Sequence, residues 1–173
     1  MGLDMYLEGK LYIGGSFNEI DEDITIRVKE KWAKQEKVFK INSKDIDDVI
    51  IPLGYWRKAN SIHRWFVKNC FDGDYDDYSG EDIYVEKEQL IELKNLCTNV
   101  LDRLKFAKTF QEKKEIIEKF LPMQNGFFFG YNDGEEGIEW YKEDMENTIK
   151  ILDEALNKIK KYNLYTICYN ASW

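Results

Sequence analysis

Leu3, Met5, Leu7, Leu11 and Ile13 alternate with Asp4, Tyr6, Glu8, Lys10 and Tyr12 at the start of the chain. Alternation of period two sends side chains to opposite faces of a strand, so this stretch predicts a first strand with one face in a core. The segments "ITIRVKEK" and "EKVFKIN" alternate in the same way. With the polar stretch between them they predict a hairpin over about 24–42, charged on its outer faces and projecting from the body. "DDVIIPLGYW" predicts another strand ending near Trp56, and "LYTICYNASW" a last one at the end of the chain.

Between these strands the period changes to that of a helix. Ala59, Ile62, Phe66 and Cys70 recur at intervals of three and four, which predicts a helix over 57–70 with Arg57, Ser61, Arg64 and Lys68 on its far side. A second helix is predicted over 86–107 with the stripe Leu90, Leu93, Cys97, Val100 and Leu104. A third, "FQEKKEIIEKFL", is closed by Pro122. The longest runs over 135–162 on Ile138, Tyr141, Met145, Ile149, Leu152, Leu156 and Ile159, and its "KIKKYN" end puts cations at the negative pole of the helix dipole.

Strands at both ends with helices between them predict an α+β fold, a mostly antiparallel sheet with helices packed on one face. At 173 residues, with two prolines, no Gly/Ser-rich linker and no internal repeat, the expectation is a single domain over 1–173 with the hairpin as an insertion. The formal charge of −8 argues against partners such as duplex nucleic acid or an anionic membrane, which need widespread positive charge. "MGLDMYLEGK" has neither the basic start nor the apolar run of a signal peptide, and no run approaches a membrane span, so the expected location is cytoplasmic. Cys70, Cys97 and Cys168 are widely spaced and odd in number, which points to buried free thiols.

Against that acidic background one stretch stands apart. From Val49 to Phe71 there is no Asp or Glu, while Arg57, Lys58, Arg64, Lys68 and the only histidine, His63, lie inside it. Clustered cations repel one another unless an anion or a carboxylate compensates. Tyr55, Trp56, Trp65 and Phe66 are interleaved with them. A planar base stacks on such rings for roughly 1–3 kcal/mol, and an arginine grips phosphate through paired hydrogen bonds. The expected partner is therefore a small anionic, nucleotide-like ligand. The candidate contacts are Arg57, Lys58 and Arg64 for phosphates, Trp56 for stacking, and Asn60 and His63 for base or ribose. The free N–H groups at the start of the 57–70 helix form the expected phosphate seat.

No second histidine, nucleophile elbow, P-loop or dinucleotide fingerprint accompanies these residues, so no catalytic residue and no cofactor is expected. "DGDYDDYSGEDI" places Asp72, Asp74 and Asp76 as in a calcium loop, but Asp77 stands where the turn glycine belongs and Ile83 where the bidentate glutamate does, so no metal site is expected. "GFFFGYNDG", bracketed by Gly126 and Gly130, reads as a buried edge strand or a pocket wall.

"MGLDMYL", "GYWRKANSIHRWFV", "LPMQNGFFFG", "EWYKEDMENTI" and the final "SW" together resemble a family of small, uncharacterised proteins encoded by phages and prophages. The shared blocks cover most of the chain apart from the hairpin and the acidic loop. The resemblance brings no catalytic residue. It implies a setting, the cytoplasm of an infected bacterial host, where small accessory phage proteins neutralise nucleotide-based immune signalling. Joined to the basic island, it gives the expectation of a host-defence antagonist that sequesters a nucleotide-derived signal without turnover. The alternatives are an inhibitor that grips a host defence protein directly through acidic surfaces or the long helix, and a phosphodiesterase or nuclease using His63. A homo-oligomer is left open.

Overall fold

The computed structural model of the protein describes residues 2–12, 23–29, 36–42, 45–46, 48–73, 78–124 and 134–173. In chain order the elements are β1 (Asp4–Tyr12), β2 (Asp23–Lys29), β3 (Glu36–Asn42), β4 (Asp48–Arg57), α1 (Asn60–Cys70), β5 (Ile83–Tyr84), α2 (Lys87–Phe106), α3 (Phe110–Phe120), α4 (Glu135–Tyr162) and β6 (Thr166–Ser172). The fold is α+β. Four strands form an antiparallel sheet in the order β4-β1-β6-β5, and β2 and β3 pair with each other in a separate two-stranded sheet.

Alternation in β1 divides the main sheet into a dry face and a wet one. Leu3, Met5 and Leu7 are buried, and across the ladder Met5 stands opposite Trp56 and Ala171, and Leu7 opposite Tyr169. Tyr6, Tyr55 and Tyr84 are exposed on the other face. The helices cover the dry face. The stripe foreseen for α2 is buried in full, and α4 buries Ile138, Tyr141, Met145, Leu152 and Ile159 while Ile149 and Leu156 are half-buried.

The helix ends follow from their residues. Glu86 with Gln89 and Thr109 with Glu112 close capping boxes on α2 and α3, satisfying backbone N–H groups that lack intrahelical acceptors. Gln89 also donates to the Asn69 carbonyl and so ties α2 to the end of α1. At its start α4 carries Glu135 and Glu136 and in its last turn Lys160 and Lys161, matching the dipole at both ends. It stops at Asn163, which is left-handed at φ 50°.

Two differences from the sequence reading bear on function. Helix α1 begins at Asn60 rather than at 57, because Arg57 still belongs to β4 and Lys58 turns the chain with φ 61°. The short β5, too brief to show a period, extends the sheet beyond β6. Segment 126–133 and Asp74–Asp77, where a strand or pocket wall and an acidic loop were expected, lie outside the described residues. Cys97 and Cys168 are buried and Cys70 half-buried, all as free thiols. No described helix is long and apolar enough to cross a membrane.

Where α4 crosses β4 the Ile151 side chain presses against the strand, and Gly54 makes room. A Cβ there would stand 2.4 Å from Cγ2 of Ile151 and 3.1 Å from the Trp56 ring. Replacing a glycine by alanine ordinarily gains about 0.4–1 kcal/mol through the unfolded chain. Overpacking costs about 1–3 kcal/mol and outweighs it. Gly54→Ala is therefore expected to lower the unfolding free energy in urea; an unchanged or raised value would show that Ile151 yields without cost.

Candidate anion-binding site

The turn between β4 and α1 distributes the island's residues. Lys58 hands its N–H to the Leu3 carbonyl at 2.8 Å, and its left-handed backbone lets Asn60 N–H return to the Lys58 carbonyl at 2.8 Å. Ala59 between them, at φ −73° and ψ 72°, is the centre of an inverse γ-turn. A left-handed lysine costs on the order of 1 kcal/mol, and such strain persists only where the surroundings hold it.

Strand alternation then separates Trp56 from Arg57. Trp56 points into the core at 2 % exposure, edge-on to Phe66 at 5.9 Å, and its indole N–H donates to Thr148 Oγ1 at 3.0 Å. The Thr148 hydroxyl in turn donates to the Asp144 carbonyl at 2.7 Å, so strand, tryptophan and α4 are joined in one chain of hydrogen bonds. A base could stack on this ring only by displacing core side chains, so the stacking role expected for Trp56 gives way to a packing role. Arg57 emerges exposed on the opposite sheet face, the one that carries Tyr55, whereas Arg64 lies on α1. The single cationic side expected for Arg57 and Arg64 required both on one helix; the left-handed turn at Lys58 removes that condition.

His63 is also inward, at 3 % exposure. Its Nδ1 shares a 2.8 Å hydrogen bond with the Tyr169 hydroxyl, and its ring lies 5.6 Å from both Tyr78 and Trp173. The Tyr78 hydroxyl accepts from Ala171 N–H at 3.1 Å, and burial pushes its pKa up to about 12. The histidine thus docks the C-terminal strand onto α1. Burial lowers its pKa to about 4, which keeps the ring neutral at pH 7.

What remains of the island on the α1 side is Asn60, Arg64 and exposed Lys58 and Lys68. Asn60 and Arg64, one turn apart, share a helix face and are half-buried. Asn60 Oδ1 accepts the backbone N–H of Gln124 at 3.1 Å, bringing the segment after α3 against the start of α1. Arg64 Nε and Gln124 Oε1 are both buried without a hydrogen-bond partner among the described residues. A buried orphan donor or acceptor costs about 1–3 kcal/mol, and natural proteins hold few of them. Gln124 was missing from the sequence reading, since nothing in "LPMQ" links it to residue 60 before the fold is known. The start of α1 has no side-chain cap and no acid in its first turn.

No cluster of three or more His, Cys, Asp or Glu side chains placed to hold a metal ion occurs among the described residues. No protein-family profile, curated protein or solved structure matches this chain.

Asp144, half-buried on α4, balances His63. Burial first, and the charge of Glu143 second, raise its carboxyl to about pKa 7 from the usual 3.8. Below about pH 6.5 the unfolded histidine takes a proton that the folded one refuses, so stability due to neutral His63 is lost as pH falls toward 4. The full difference is on the order of 3 kcal/mol. Asp144 acts with the opposite sign: folded protein binds its proton near pH 7, so acidification toward 3.8 restores stability. Asp144→Asn should therefore lose stability between pH 7 and pH 5 relative to the parent, and His63→Gln should gain it. Urea midpoints at the two pH values decide, and slopes of the same sign in both variants would contradict the assignment.

Proposed function

We propose that this chain binds a small anionic, nucleotide-like ligand at the start of α1 and holds it without chemical change. The observation that carries this reading is two buried side-chain atoms without a hydrogen-bond partner among the described residues: Arg64 Nε, on the helix one turn from Asn60, and Oε1 of Gln124, whose backbone N–H donates to Asn60 Oδ1. An anion that takes up the Nε edge of the guanidinium relieves the unpaired donor, and a base or ribose N–H or hydroxyl relieves the glutamine oxygen. Phosphate and nucleoside together offer both. Lys58 and Lys68, exposed within a stretch free of acidic residues, add local attraction in a chain that is otherwise negative.

Sequestration fits this arrangement better than turnover. The histidine that would act as acid or base is buried, neutral and bonded to Tyr169, whereas binding needs only donors and acceptors in place. Within the setting implied by the phage-family resemblance, the ligand would be a nucleotide-derived defence signal and the protein its sink.

Calorimetry with cyclic dinucleotides and ADP-ribose derivatives tests the proposal. Arg64→Ala is expected to weaken binding by about 1.5–3 kcal/mol, the range for a hydrogen bond to a charged group. Gln124→Ala should weaken it less, and Arg57→Ala and Trp56→Phe not at all. The ligand recovered after denaturation should be intact. Absence of binding across the panel, or equal affinity in Arg64→Ala, overturns the site; cleaved product that disappears in His63→Gln overturns sequestration.

A further inference from the structure

The bulge in β4 lies beside a concavity at the edge of the sheet. Leu7 stands opposite Gly54 and Glu8 opposite Pro52, which leaves Leu53 as the extra residue. Around it lies a cavity of about 470 Å³ walled by Tyr6, Glu8, Tyr55, Ile151, Glu154 and Lys158, with the bulged backbone as its floor. That volume falls within the roughly 300–1,000 Å³ of small-ligand sites.

The walls have a consistent chemistry. Tyr6 and Tyr55 are 38 % and 48 % exposed, with ring centroids 5.4 Å apart and planes inclined at 47°, so ring faces are open to an incoming group. The Tyr55 hydroxyl donates to Asp4 at 2.5 Å, which fixes that ring. Among the described residues Glu8 and Glu154 make no hydrogen bond or ion pair. Lys158, one turn along α4 from Glu154, donates to the Pro52 carbonyl at 2.9 Å, and two carboxylates against this one ammonium leave the lining net negative. Aromatic faces and unpaired carboxylates both favour a cation, and the planar guanidinium suits them together, stacking on a ring while its N–H groups reach carboxylate oxygens.

We propose that this cavity receives an arginine side chain from a partner protein. The chain's net charge of −8 favours approach of a basic partner. The mouth lies at β4, an outer strand of the sheet, where an extended segment can reach it. The site shares no residue with the start of α1, and neither depends on the other.

Acetyl-Gly-Arg-Gly-amide, its citrulline and lysine counterparts and guanidinium chloride are titrated into the intact protein, followed by amide NMR shifts. Saturable shifts at Glu8, Gly54 and Tyr55 are expected with the arginine peptide alone, or with the lysine peptide at least fivefold more weakly. Glu154→Gln and Tyr55→Leu should each weaken the arginine peptide at least threefold, and Arg64→Ala should not change it. Equal binding of the citrulline or lysine peptide overturns guanidinium recognition. Guanidinium ion binding as tightly as the peptide overturns the assignment to a protein side chain, and no saturable shift overturns the site.

Discussion

The hydrogen bond from the Trp56 indole to Thr148 joins the two largest pieces of the core. Trp56 sits in the edge strand β4, Thr148 at the middle of the 28-residue helix α4, and their side chains are buried. A buried indole N–H without an acceptor would carry a penalty comparable to the bond itself, so α4 is held in one register along the sheet. Gly54 sets how near it comes, and Phe66 wedges α1 against the same ring. From that corner the positions of Asn60, Arg64 and the β4 bulge follow.

Elements with one dry face were legible from periodicity alone. The α2 stripe Leu90 to Leu104 and the β1 alternation required nothing beyond neighbours in sequence. Helix α1 was less legible because it is buried on more than one side: Ser61, His63, Trp65 and Val67 join Ile62 and Phe66 in the interior. A helix between a sheet and another helix lacks the polar half that a wheel assumes. The left-handed Lys58 was illegible for another reason, since lysine carries no signal for that conformation and the Leu3 carbonyl that anchors it is 55 positions earlier. Of the six residues first chosen for a ligand, alternation and this one turn send Trp56 and His63 inside and Arg57 to the opposite sheet face. Asn60 and Arg64 stay together on one face of α1, and Gln124, which only the folded chain brings near, bonds to Asn60.

His63 and Asp144 show how buried ionisable groups are tolerated in pairs of opposite sign. Each is shifted mainly by loss of water, one away from its proton and one toward it. Their proton linkages oppose across the mildly acid range. Between about pH 4 and 6.5 what the fold loses through one it regains through the other.

Pro52 and Lys158 also bear on how the molecule behaves in a crowd. An outer strand of ten residues is a template on which other chains can add, copy upon copy. In β4 the template is interrupted at its centre: Pro52 offers no N–H, its carbonyl is taken by Lys158, and the bulge at Leu53 breaks the spacing that a new strand would have to match. The chain thus carries its own guard against fibril growth, placed at the strand where growth would begin.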